Sequence, residues 1–549
     1  MLHRKPVSGE ITANIVSIQE RTIRYGTLIW EFGQISRIDE LGEERPGAPY
    51  LIPGFVDAHL HIESAHLPPA EFSRLALPRG TLACVVDPHE LCNVMGLSGF
   101  DFMYESAQKT ALEFLWGAPS CVPGHRLENH GLQIGLSDVE RLLDEGRAGF
   151  LAEVMDVEGV LNRSKGIMAK ILATKLRKRP IDGHAPGLSG TNLRKYRASG
   201  IQTDHECSTL DEALEKLDLG FKILIREGSA ARDLDALESL IRTHPDEVML
   251  CTDDLHPDDL ASGHMDALVR RAMALGHDFF DVLKVSGLNA VRHYGLPLGQ
   301  LGIGERMDAV LISDPKRVKV QKAWIRGQLV AEDGASKERH RHVLPIGGLK
   351  ARPLQKDDFR IPKRKGDLRV LVVEDGSLAT QAVFLPALFD TEDLLIAQPG
   401  KDILWMVLVN RYRPQKPVLG MVRGFGLDEG AIATSYAHDA HHIVAVGVDP
   451  GSIVKAVNAL IERGGGLSRV SGDQLDILPL PIAGLMSPEP AAAVANHYQH
   501  LNEEAQFMGS TLKAPYMQLA FLALPVIGDL KLTSEGLFDV KAQRLVGLF

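Results

Sequence analysis

At 549 residues the chain exceeds what one hydrophobic core usually supports, so two or three domains are expected. Its 60 basic residues are outnumbered by 71 acidic ones, and a net charge of -11 argues against nonspecific nucleic-acid binding. The longest apolar runs are far too short to span a bilayer, and residues 1–6 lack the apolar core of a signal peptide. Cys84, Cys92, Cys121, Cys207 and Cys251 contain no C-x-x-C pair and suggest no disulfide framework. A cytoplasmic protein with no membrane partner is expected.

Residues 13–40 alternate apolar and polar side chains around Gly26 and Gly33, which predicts two or three antiparallel strands. A similar pattern returns at 308–314 and 319–328, so a small composite β domain is expected from residues 1–50 plus 296–347. Between these parts, apolar runs end repeatedly in polar, potentially reactive groups. Phe55-Val leads to His59 and His61, and Leu82-Ala-Cys-Val-Val leads to Asp87, His89 and Glu90. Later runs lead to Ser120 and Cys121, to Glu153, to His184, to His205 and Glu206, to Glu227, and to Asp253 and Asp254.

Those eight runs lie about 20 to 35 residues apart, the length of a strand plus a helix. Helices are expected at 137–146, with Ser137 as N-cap and Glu140 completing a capping box, and at 210–218 and 233–242. The fold class is therefore α/β: a (β/α)8 TIM-type barrel over 51–295, flanked by the β domain. Residues 348–366, basic and without periodicity, read as a linker, and 367–549 as a C-terminal α/β domain.

In such a barrel, functional side chains gather at the C-terminal ends of the strands. His59, His61, Glu153, His184, His205 and Asp253 would then share one mouth. Four imidazoles and two carboxylates exceed the needs of a single catalytic zinc and suffice for two divalent ions that acidify a shared water. No G-x-G-x-x-G fingerprint, Walker loop or G-x-S-x-G elbow competes for the site. His61-Ile-Glu63 lacks the P-C-x-x-C partner of a cytidine-deaminase-type zinc site.

Several stretches resemble the adenine deaminase family of the amidohydrolase superfamily. They include Pro53-Gly-Phe-Val-Asp-Ala-His-Leu-His-Ile-Glu-Ser64, Val86-Asp-Pro-His-Glu90, Asp182-Gly-His-Ala-Pro-Gly187, Thr203-Asp-His-Glu206, Ile225-Arg-Glu-Gly-Ser229 and Cys251-Thr-Asp-Asp254. Gly424-Phe-Gly-Leu-Asp-Glu-Gly430 and Ala437-His-Asp-Ala-His441 extend the likeness over nearly the whole chain. The resemblance implies that His59 and His61 bind one metal and His184 and His205 the other. Glu153 would bridge them in place of the carbamylated lysine of other superfamily members, and 151–156 contains no lysine.

Asp253 would be both ligand and proton shuttle, with Glu206 as the second catalytic residue and Asp254 as a rival for the shuttle role. His89 and Glu90, beside the site with Asp87, would bind the substrate or hold a further ion. Two divalent ions, manganese ahead of iron or zinc, would serve hydrolysis of adenine to hypoxanthine and ammonia in purine salvage, in a homo-oligomer. A related hydrolase of another purine or cyclic amide is the alternative, and a catalytically inactive barrel scaffold the second. The family commonly continues Ser-Met where this chain has Ala65-His66; His66 would line the pocket or be a surface substitution, and the second is preferred. The dense run of Tyr436, His438, Asp439, His441 and His442 is left without a role.

Overall fold

The computed structural model describes residues 7–125, 127 and 132–549; residues 1–6, read above for a signal peptide, lie outside it. The chain forms two compact units. One comprises residues up to His89 together with Leu97–Cys121 and Ile134–Arg341; the other takes Glu90–Gly96, Val122–Gln133 and His342–Phe549. Among the described residues no helix is long and apolar enough to cross a membrane.

The alternating N-terminal segment forms three antiparallel strands, Gly9–Ser17, Thr22–Glu31 and Gln34–Glu43. Strand Tyr50–Pro53 runs parallel to the first of them and antiparallel to Ala309–Ile312, which joins the two ends of this unit into one eight-stranded sheet. Its core packs Trp30 against Trp324 edge to face, with ring centroids 6.3 Å apart, over Leu51 and Met307.

Tyr50–Pro53 leads directly into the barrel. Strands Phe55–Leu60, Thr81–Val86, Glu113–Ala118, Phe150–Val154 and Ile181–Gly183 form one parallel segment. Thr203–Asp204, Lys222–Arg226 and Val248–Cys251 form a second. Backbone bonds close both seams: Gln202 N–H donates to Ile181 O at 2.9 Å, and Asp253 N–H to His59 O at 2.9 Å. Strand Thr81–Val86 is buried throughout, as expected where one face lines the barrel and the other meets helices.

Three local expectations change. The helix expected at 137–146 spans Leu136–Asp144, because the Asp138 carboxylate, rather than the Ser137–Glu140 pair, closes its first turn by accepting from Gly135 N–H at 2.9 Å. The 233–242 segment splits into two short helices, Leu234–Leu237 and Ser239–Thr243. The chain leaves the first unit at Arg341, ahead of the 348–366 stretch read as a linker. Leu354 and Phe359 in that stretch are buried in the C-terminal core, and Leu354 exchanges two hydrogen bonds with the Asn458 side chain.

In the C-terminal unit, eight strands run in the order Gln381–Leu385, Leu368–Val372, Val418–Arg423, Leu404–Val409, Ile443–Gly447, Ala431–Thr434, Gly466–Ser471 and Gln474–Pro479. All neighbours are antiparallel except Leu368–Val372 with Val418–Arg423. Helix Pro450–Arg463, capped by the Asp449 carboxylate, lays Ile453, Ala456, Val457 and Leu460 against the sheet.

Candidate metal centre

Each buried polar group at the barrel's centre is placed by the end of a strand. On the first strand, His59 and His61 are two residues apart and face the same way, with ring centroids 5.0 Å apart. His61 Nδ1 lies 3.0 Å from the Asp87 carbonyl at the end of the second strand, which leaves Nε2 to point inward. Glu153, on the fourth strand, is shared by four imidazoles. Its Oε2 lies 2.7 Å from His184 Nδ1 and 3.2 Å from His205 Nε2, and its Oε1 is 3.4 Å from His61 Nε2 and 3.5 Å from His89 Nδ1.

Asp253 follows the eighth strand with φ of 55°, a left-handed conformation that aspartate tolerates better than most residues. Two backbone bonds to the first strand hold it there: its N–H to His59 O, and His61 N–H to its carbonyl at 3.1 Å. Its Oδ1 lies 3.3 Å from His61 Nε2 and 3.5 Å from His59 Nε2. Beneath this junction the buried Asp57 carboxylate accepts from Thr252 N–H at 3.0 Å and lies 2.9 Å from His264 Nε2, tying the first strand to the eighth.

Most of these nitrogen–oxygen separations exceed a good hydrogen bond, and His59, 1 % exposed, has no hydrogen-bond partner for either ring nitrogen among the described residues. Buried polar atoms ordinarily find partners. Converging imidazole nitrogens and carboxylate oxygens at such distances fit divalent cations. One set is His59, His61 and Asp253; another is His59, Glu153 and His205; a third is His184, His205 and Glu206.

The electrostatics are those of interleaved opposite charges. Burial pushes the Glu153 carboxyl up, but His184 and His205 hold it well below the usual carboxylate range. Asp253 is likewise held well below its range, against burial, by the neighbouring His59 and His61 imidazoles. Burial also opposes charge on Glu206, yet the Arg226 guanidinium and His184 keep it down at about 2. His59 is lowered by burial and by the neighbouring His205, with which it stacks at 4.1 Å.

The six expected ligands, His59, His61, Glu153, His184, His205 and Asp253, are thus brought together, with His89 and Glu206 beside them. Glu90 departs from this group. It belongs to the C-terminal unit, where its Oε2 lies 2.6 Å from His441 Nε2 and its Oε1 hydrogen-bonds His438 Nδ1. His66, read as a surface substitution, is 2 % exposed, and its ring lies parallel to that of His256 with centroids 6.4 Å apart. At the end of the seventh strand the group facing the centre is Arg226. Glu227 pairs with Arg271 and accepts from Leu234 N–H at 3.2 Å. A run Lys222-Ile-Leu-Ile-Arg226 ending in a charge was the available signal; adjacent strand residues face opposite ways, and the choice between them was one residue off.

Residues 50–330 match the model of the amidohydrolase family, and residues 377–544 match that of the adenine deaminase C-terminal domain. The adenine deaminase of Salinibacter ruber is 43% identical over 99% of this chain and 99% of its own length. That of a Sulfurovum species is 43% identical over 98% of this chain and 99% of its own. The adenine deaminase of Methanosarcina mazei is 41% identical over 95% of this chain and 96% of its own. With the family models covering more than half of the sequence and these relatives nearly all of it, the chain belongs to the adenine deaminase family of amidohydrolases.

Proposed function

We propose that this chain is an adenine deaminase that hydrolyses adenine to hypoxanthine and ammonia. Near-full-length identity with adenine deaminases carries the substrate, and the six-residue cluster around Glu153 supports the chemistry. In this reading His59, His61 and Asp253 would hold one divalent ion and His184 and His205 a second, with the Glu153 carboxylate as a ligand available to either. Bound there, the ions would supply Lewis-acid activation of a water. Manganese is the first candidate, ahead of iron and zinc.

The protein's own groups then move protons. Asp253 accepts the proton of the attacking water and returns it to the amino group, which departs as ammonia. Glu206, 3.4 Å from both His184 Nδ1 and His205 Nε2, takes the water's second proton from the new hydroxyl group and passes it to the adjacent ring nitrogen, which gives the keto product. His89 contacts the substrate from the end of the second strand, where Nδ1 lies 3.2 Å from Asp87 Oδ2. For Glu90 a role in binding the base has less support, since both its oxygens engage histidines of its own unit. A cytoplasmic homo-oligomer in purine salvage completes the proposal; five buried free cysteines suit a reducing compartment.

A panel of purines and cyclic amides, scored by ammonia release from manganese-loaded protein, tests the reading. Adenine is expected to be turned over fastest, without any requirement for bicarbonate. Preference for another member of the panel would replace the substrate and keep the hydrolase.

A further inference from the structure

Arg226 faces the barrel's centre and brings a permanent positive charge to the carboxylates there. It ends the seventh strand, its side chain is 11% exposed, and its guanidinium engages three carboxylates. Nη1 donates to Glu206 Oε1 at 2.7 Å and reaches Asp253 Oδ2 at 3.3 Å, while Nε donates to Asp233 Oδ2 at 2.9 Å. Asp233 is itself fixed: its N–H returns to the Arg226 carbonyl at 2.9 Å. The intervening loop is pinned as well, by Ser229 N–H on the Asp254 carbonyl at 2.8 Å. A planar fork held at its Nε edge in this way presents its other nitrogens in one fixed direction.

The two oxygens of Asp253 therefore have different partners. Oδ2 faces the guanidinium, and Oδ1 faces His59 and His61. Glu206 is divided differently, since Oε1 alone is shared by Arg226, His184 and His205.

We propose that Arg226, anchored by Asp233, is a positioning residue that fixes which oxygens of Asp253 and Glu206 face the imidazole cluster and which are kept back for proton transfer. The proposal rests on the function proposed above. Without the guanidinium, Asp253 is free to turn both oxygens toward a cation. That would hold the cation at least as firmly but leave no carboxylate oxygen aligned to take a proton. Misplacement of a reacting group by about 1 Å costs on the order of 100-fold in rate.

The test is R226A in the full-length, manganese-loaded protein, with R226K and D233N beside it. R226A is expected to lose on the order of 100-fold in kcat with little change in KM. Manganese affinity, measured by calorimetry on the metal-depleted protein, is expected to be unchanged or tighter. Added guanidinium chloride, below unfolding concentrations, should restore part of the R226A turnover. R226K and D233N should each lose less, in the same direction, and they carry the reading if R226A does not fold. A kcat of R226A within about threefold of the parent overturns the proposal, as does a manganese affinity weakened about tenfold or more, the scale of a lost metal-supporting contact. The calorimetric arm uses no adenine. A parent protein that releases no ammonia from adenine, with R226A still binding manganese tightly, would overturn the function and leave the positioning of the carboxylates standing.

Discussion

Buried cations and anions interleave in the barrel: at its centre Arg226 faces Glu206, Asp253 and Asp233, and on the helix Leu210–Asp218 Lys216 Nζ meets Asp204 at 2.8 Å and Glu212 at 2.7 Å. Two cations of the C-terminal unit are buried differently. Arg411 donates to the carbonyls of His441, at 3.0 Å, and Ala483, and Lys531 to that of Phe521 at 2.8 Å, with Leu378 O at 3.5 Å. Carbonyl dipoles satisfy the donors but do not neutralise the charge, so burial lowers both groups, Lys531 to about 7. The histidine clusters differ in the same sense. Around Glu153 four imidazoles share one carboxylate, mostly at separations too long for strong hydrogen bonds, whereas Glu90 gives one oxygen to each of two imidazoles. Histidines scattered along the sequence thus form an arrangement open to a cation, while a dense run of them forms a closed hydrogen-bonded group.

The largest expected effect breaks the shared carboxylate. Glu153→Gln keeps the shape but removes the charge that four imidazoles face. Bound manganese and ammonia release should fall together to background in metal analysis and assay. Metal retained at the parent level in E153Q would show that the Glu153 carboxylate is not a ligand. Next is Asp253→Asn, nearly isosteric and unable to accept a proton. Turnover should drop by about 10²- to 10⁴-fold while most of the metal stays. Near-normal turnover would pass the shuttle role to Asp254 or Glu206.

How far this contrast was legible depended on chain geometry. The barrel could be read because its strands are buried on both faces and end in polar groups, so that His59, His61, Glu153 and Asp253 stood out at the ends of apolar runs. Two strands offered almost no run at all: Ile181–Gly183 and Thr203–Asp204 were found through the polar residues after them. Arg226 was hidden by parity, since one residue of error along a strand exchanges its two faces. Glu90 was hidden by a change of period. His89 and Glu90 open the helix His89–Met95, where successive side chains diverge by about 100°, so adjacency to His89 did not say which histidines Glu90 would pair with. Nor does anything local in 90–96 or 122–133 announce that these segments belong with residues beyond 342.

Lys531 sharpens the comparison through stability. Its pKa is lowered in the folded state to about 7, below the ordinary lysine value of 10.5, so the unfolded chain binds the extra proton between those values. Stability therefore rises with pH across that window, and below about pH 7 the cost of burying the charge is present in full. Lys531→Met should be more stable relative to the parent at pH 7 than at pH 10, by a few kcal/mol, each pKa unit being worth about 1.4 kcal/mol. Subtracting the parent's curve from the variant's cancels the other groups that titrate in this range, and the cost of leaving the Phe521 carbonyl without its donor remains as an offset that does not change with pH. A stability difference independent of pH, read from denaturant melts, would mean that Lys531 keeps its proton in the folded protein.

The smallest effect concerns His441. Burial lowers it to about 4 despite the pull of the Glu90 carboxylate, so the folded protein keeps this imidazole neutral where the unfolded chain begins to protonate at about 6.5. Here the unfolded state binds more protons between pH 6.5 and 4, and stability is lost as pH falls through that range. The contribution has a slope of at most about 1.4 kcal/mol per pH unit. His441→Gln can still donate a hydrogen bond to Glu90 but cannot titrate. Its stability should fall less steeply than the parent's between pH 6.5 and 4, while manganese content stays unchanged. A variant that loses manganese at neutral pH would place this group among the supports of the metal centre, and the closed cluster would have to be reread as part of an open one.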